Sequence, residues 1–132
     1  MKPIDHYVFA MFPAVPFDRE EEGAGDSYTH MVRIVEWLAS LPGEEFASAI
    51  VSRVKLFAEW CESHPRSETA SDDVYTIYIV GFVETLFQRE KTRRLIPAIV
   101  DKESFDANAD YLRSWVGAES YAQAAAHFTT QS

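Results

Sequence analysis

The stretch Asp73-Val-Tyr-Thr-Ile-Tyr-Ile-Val-Gly-Phe-Val-Glu-Thr-Leu-Phe87 constrains this chain more than any other. It is the most apolar run, so whatever fold forms has to remove most of it from water. Two secondary structures compete for it. Val74, Thr76, Ile77, Ile79, Val80 and Val83 are β-branched, which suits a strand. A half-buried strand alternates apolar and polar residues, and this run does not. Tyr75, Ile77 and Ile79 fall on one face, and Tyr78, Val80 and Phe82 on the other. A strand covered on both faces stays open, although such strands are usually short. On a helical wheel the pattern is cleaner. Tyr75, Ile79, Val80, Phe82, Val83, Leu86 and Phe87 cover a wide apolar arc, and Gly81, Glu84, Thr85 and Gln88 gather opposite. Ser71, Asp72 and Asp73 place capping oxygens and negative charge at the start. Arg89, Lys91, Arg93 and Arg94 place positive charge at or beyond the end, the sign a helix C-terminus favours. The pattern predicts a central apolar helix over about residues 73–89, with its narrow polar strip facing solvent.

The flanking sequence supplies partners for such a helix. Ile4 to Phe12 is a short apolar segment ended by Pro13 and Pro16. Residues 13–25 read as an acidic surface loop with no apolar periodicity. Asp26 or Ser27 can cap a helix from Tyr28 to Leu41, whose stripe is Tyr28, Met31, Val32, Val35, Leu38 and Ala39. Pro42-Gly43 breaks the chain. A third helix is predicted from Glu44 and Glu45 to about Ser63, with Phe46, Ile50, Val54, Phe57 and Cys61 inward, before His64-Pro65 stops it. After the central run come a short apolar patch at Leu95 to Val100 and a helix over Ser104 to Val116. That helix should turn Phe105, Ala109, Leu112, Trp115 and Val116 inward and stop at Gly117. An alanine-rich helix over Glu119 to Phe128 follows, and residues 129–132 should fray. The sum is an all-α, compact single domain of five to seven helices, arranged as packed helical hairpins around the central one.

Composition narrows the function classes. At 132 residues, 47% hydrophobic and 14% aromatic, the chain can build a core and is not disordered. No apolar run approaches the ~20 residues of a membrane span. The start lacks a signal-peptide pattern, and one cysteine, Cys61, excludes an internal disulfide framework. These features favour a cytoplasmic location and no membrane partner. The net charge of −9 argues against non-specific nucleic-acid binding and suits a basic partner.

Residues that could carry chemistry are sparse. No Ser-His-Asp signature, phosphate loop or nucleotide fingerprint occurs. His6, His30, His64 and His127 are not spaced as helical metal pairs. Cys61 and His64 could reach one ion, but a stable zinc site needs more ligands, and a lone cysteine on an apolar stripe behaves as a small hydrophobe. No metal, cofactor or catalytic residue is expected. Glu84 sits in a largely apolar helix, yet groups with the polar strip and so reads as exposed. The basic cluster at 89–94 reads first as a solvated helix end, and second as a docking site for an acidic partner. Trp37 and Trp60 lie at the edges of their stripes, where either could anchor an interface.

The order of elements carries a resemblance. An aromatic segment ends in Phe12-Pro-Ala-Val-Pro-Phe17. A helix contains Met31-Val-Arg-Ile-Val-Glu-Trp-Leu38, and a second ends near Trp60. The apolar Val80-Gly-Phe-Val-Glu-Thr-Leu-Phe87 follows, and then Leu95-Ile-Pro-Ala-Ile99. Over residues 4 to 116 this resembles small, acidic, all-helical bacterial proteins, some of them grouped with toxin-immunity proteins. The resemblance implies a non-enzymatic cytosolic protein that binds and neutralises a cognate toxin. Acidic surface speeds association with a basic toxin. Asp18, Glu20, Glu21, Glu22, Asp26, Glu44 and Glu45 are the residues nominated for that face, with Trp37 and Trp60 as anchors. Two other classes stay open: a small helical enzyme drawing on the histidines and Glu84, and a regulatory or structural homo-oligomer using exposed aromatics.

Overall fold

The computed structural model describes residues 3–17, 27–69 and 73–130. The described residues form an all-α structure with no strand. Its N-terminal half holds α1 (Pro3–Met11), α2 (Ser27–Ser40) and α3 (Ser48–Glu62). The central run is α4 (Val74–Ile77), a π-helical segment (Tyr78–Val83) and α5 (Glu84–Leu86), without interruption. Two single turns follow, α6 (Glu90–Arg93) and α7 (Ile96–Ile99). The C-terminal part holds α8 (Lys102–Ala107), α9 (Ala109–Val116) and α10 (Ala118–Thr130). With 74–86 taken as one helix and the single turns as connections, the described residues carry seven helices, the upper end of the expected range.

The central helix is the spine that its composition demands. Ile77, Tyr78, Phe82 and Leu86 are fully buried. Phe57 of α3 packs edge-on against Tyr78 and Phe82, with ring centroids 5.8 and 5.1 Å away, and against Phe12 at 5.7 Å. Such edge-to-face arrangements suit the ring quadrupoles. The main partner of the π segment is α2. Gly81 allows that approach: a Cβ there would lie 2.9 Å from Met31 Cβ. Both ends of the spine are capped. At the start the Asp73 side chain accepts from the Thr76 amide at 3.1 Å. At the end Thr92 Oγ1 donates to the Leu86 carbonyl at 2.8 Å and Arg93 Nε to the Phe87 carbonyl at 2.7 Å, satisfying acceptors the helix leaves open. Lys91 Nζ donates to the Leu41 carbonyl. Two members of the basic cluster at 89–94 are thus engaged with backbone inside the chain.

The polar strip expected on this helix is not a strip. Gly81 and Glu84 are buried, and of the four residues only Gln88 is exposed. Tertiary cover is the physical reason. Gly81 is buried against Met31 of α2, and Glu84 is covered by α9, whose Tyr111 and Trp115 donate to its carboxylate. Between the two the helix widens: the Glu84 amide bonds to the Ile79 carbonyl, five residues back, so the turn holds one residue more than an α-turn.

Three other boundaries differ from expectation. The third helix starts at Ser48, not at Glu44 and Glu45. Gly43 (φ 90°) turns the chain, and Phe46, half-buried under Lys91 Nζ at 5.3 Å, holds the segment before the helix begins. The helix expected over 104–116 is two helices. Asp101 caps α8 by accepting from the Ser104 amide at 2.7 Å, and Asn108 Nδ2 donates to the Ser104 carbonyl at 2.8 Å. A side chain that competes with the backbone in this way ends a helix. Trp115, expected inside, is 56% exposed: Ala109, Leu112 and Val116 of α9 pack on the core, and the indole at the edge of that stripe reaches Glu84 instead. In the acidic loop, Val15 and Phe17 are buried, and residues 18–25 lie outside the described residues. The last helix reaches Thr130.

Candidate binding cavity

The short helices of the C-terminal part do not cover the spine as tightly as α2 and α3 do. Between α5, α8, α9 and the end of α3 lies a half-open cavity of about 530 Å³. Tyr75, Tyr78 and Ile79 form its floor from the central helix, and Glu84 enters from α5. Glu62 comes from the last turn of α3. Val100, Asp101, Ser104 and Asn108 come from the approach to α8 and its end, and Tyr111 and Leu112 from α9. Ile99, Val83, Phe87 and Phe105 complete an apolar wall.

Glu84 is 6% exposed and accepts two hydrogen bonds from α9. Tyr111 Oη donates to Oε1 at 3.3 Å and Trp115 Nε1 donates to Oε2. The two donors stack with ring centroids 5.9 Å apart and are 47% and 56% exposed. Burial raises the Glu84 carboxyl above its ordinary value, and the bonds from Trp115 and Tyr111 oppose that without cancelling it. Glu62 is also raised, first by burial and then by Glu59 and Asp101. Tyr78 is fully buried, and its hydroxyl has no hydrogen-bond partner. The lining contains three acids, Glu62, Glu84 and Asp101, and no base. Just outside it, the Arg66 guanidinium lies 4.9 Å over the Tyr75 ring and pairs with Asp73 at 2.9 Å.

The residues nominated from sequence are placed elsewhere. Trp60 is half-buried, stacked on Tyr7 at 4.0 Å and against His64 at 4.1 Å. Trp37 is half-buried beside Phe12 at 6.4 Å. Glu44 and Glu45 are exposed on the connection before α3. Asp18, Glu20, Glu21, Glu22 and Asp26 lie outside the described residues. Cys61 is buried, and burial together with Glu62 pushes its thiol far up, away from nucleophilic character. His64 Nδ1 donates to the Trp60 carbonyl at 2.7 Å. Among the described residues no three His, Cys, Asp or Glu side chains form a metal-binding group.

One buried cluster has no counterpart in the sequence reading. Asp5, Ser27 and His30 meet between α1 and α2, all at most 6% exposed. Ser27 Oγ donates to Asp5 Oδ1 at 2.9 Å, and His30 Nε2 lies 3.8 Å from the same oxygen. The serine is bonded to the carboxylate rather than to the imidazole, so the base does not activate it. The cluster ties two helices together and does not build a nucleophile. For the cavity, the signals available in sequence were Glu84 within an apolar run and the pair Tyr111 and Trp115. Neither could be placed without the contact between α9 and the central helix.

Compared with family models, curated proteins and solved structures, this chain finds no match. No helix among the described residues is long and apolar enough to cross a membrane.

Proposed function

We propose that this chain is a non-enzymatic binding module whose partner is a basic protein, in its most specific form an immunity protein that neutralises a bacterial toxin. The observation that carries the reading is the exposed Tyr111–Trp115 pair on α9, beside an acid-lined cavity. Large exposed aromatics of this kind are the residues that anchor interfaces. The net charge of −9 favours encounter with a positively charged partner. The anchor face therefore moves from Trp37 and Trp60 to α9. Donors from α9 to both of its oxygens hold the Glu84 carboxylate in place at this face, with acceptor capacity left on each oxygen.

The test is affinity purification of the tagged chain from its native host, beside a Tyr111→Ala/Trp115→Ala double variant. A basic protein retained by the wild type, lost from the variant and released by salt supports the reading. Protection against growth arrest when the two are co-expressed supports the toxin-immunity form. Retention of the same proteins by both chains overturns the assignment of the face.

A further inference from the structure

We infer that the cavity receives one organic cation, an ammonium or guanidinium group on an apolar stem, held by Glu84 and the ring of Tyr111 in a volume that Glu62, Asp101 and Tyr75 also line. The inference deepens the reading above and rests on it only for one source of the cation, a lysine or arginine side chain of the partner. A free amine is the other source.

Several observations point to that chemistry. The lining sets three carboxyl groups around one volume and offers no base to balance them. An entering cation supplies the missing charge, and charge-assisted bonds to carboxylates are the strong ones. The aromatic rings attract cations through their faces, and the chain already gives an instance in Arg66 over Tyr75 at 4.9 Å. That guanidinium is committed to Asp73, so it does not fill the cavity's need. Tyr78 forms part of the floor of the same volume, and its hydroxyl is fully buried beneath it without a hydrogen-bond partner. Ile79, Val83, Ile99 and Leu112 provide an apolar wall for the stem. A volume of about 530 Å³ falls within the range of small-ligand sites. A π-helical turn forms the floor, a feature that recurs at functional sites.

Proton linkage gives a second signature. Glu62 and Glu84 are both held above their ordinary values by burial, with Asp101 and Glu59 acting on Glu62, and Tyr111 and Trp115 on Glu84. A bound cation stabilises both ionised forms, so binding releases protons and tightens as pH rises through the raised values.

The experiment is calorimetric titration of the full chain with 4-phenylbutylammonium and its neutral counterpart 4-phenylbutanol. A parallel arm uses a short leucine-flanked peptide with one lysine, and the same peptide with norleucine in its place. Binding of the ammonium at least about tenfold tighter than the alcohol supports a free-amine site. Binding of the lysine peptide alone, with the norleucine peptide silent, supports a partner side chain as the source. Glu84→Gln and Glu62→Gln should each weaken the cation about tenfold while leaving the alcohol unchanged. Should Glu84→Gln fail to fold, Glu62→Gln and Asp101→Asn carry the test, because asparagine keeps the capping oxygen of α8. Equal binding of ammonium and alcohol, or no binding of either cation, overturns the inference. The free-amine arm needs no protein partner. It also separates this inference from the reading above, whose failure would appear as undiminished partner retention by the Tyr111→Ala/Trp115→Ala chain.

Discussion

Asp73 and Glu84 are buried carboxylates at opposite ends of one helix, and their surroundings push them in opposite directions. Asp73 receives the Thr76 hydroxyl and amide, the Ser67 amide at 2.8 Å and Arg66 Nε at 2.9 Å. The Thr76 side chain and then the Ser67 amide lower its carboxyl to about 2. Glu84 receives two donors from α9 and faces a cavity without a base, so burial prevails and its carboxyl is raised. The N-terminal end is closed by a cap, and beyond it Phe57 of α3 packs edge-on against Tyr78 and Phe82. The C-terminal end is covered by short helices that leave space. A carboxylate whose lone pairs are filled by its own chain stabilises the fold. One that is left facing a cavity without a counter-charge stays available to a ligand.

Several measurements would break or sharpen this contrast. The largest effect belongs to the closed side. Phe57→Ala removes the ring that meets Phe12, Tyr78 and Phe82, and should cost about 3–5 kcal/mol in denaturant unfolding. A loss near that of a surface substitution would mean the aromatic cluster is not the core. Next is Gly81→Ala, where the added methyl meets Met31 Cβ at 2.9 Å. Forcing α2 away should cost about 1–3 kcal/mol. Asp73→Ala follows at about 1–2 kcal/mol, the range of a lost N-cap. Because the Asp73 carboxyl is lowered, its contribution is present above the unfolded value of about 3.9 and is lost as pH falls towards about 2. The variant should therefore lack that acid-sensitive step in a stability–pH profile.

The open side should respond less, and in the other direction. Tyr78→Phe removes a buried hydroxyl that has no partner, so it should leave the free chain equally stable or more stable by about 1 kcal/mol. A large loss would reveal a bond to that hydroxyl. Glu84 gives the smallest effect. Its raised carboxyl makes the protonated form the one the fold favours. That contribution is complete below the unfolded value of about 4.3 and is lost as pH rises through the raised value. Glu84→Gln should flatten that part of the profile, and an unchanged profile would remove Glu84 as the titrating group.

Much of the fold was legible in sequence because it rests on local pattern. The apolar arc of 74–87, the stripes of α2 and α3, the proline stops after Phe12 and the Gly117 stop are read from spacing and turn chemistry. The positive φ of Gly117 (98°) is the kind of stop only glycine makes without strain. The candidate site was not legible, and two residues explain why. Glu84 reads as part of a polar strip on an isolated helix, and Tyr111 and Trp115 of α9, distant in sequence, cover it. Trp115 lies at the edge of the inward stripe, where its indole reaches Glu84 and stays open to solvent while Ala109, Leu112 and Val116 of the same helix pack on the core. Both are settled by one contact between helices distant in sequence.

The sequence by itself determined that this protein is helical, acidic and built around residues 74–87, because burial and periodicity act on neighbours along the chain. Only the tertiary structure decided what that helix does at its far end. The π turn next to α2, the break between α8 and α9, and the space left beside α5 depend on contacts between residues distant in sequence. Those contacts convert one glutamate of an apolar helix into the wall of a cavity that lacks its counter-charge.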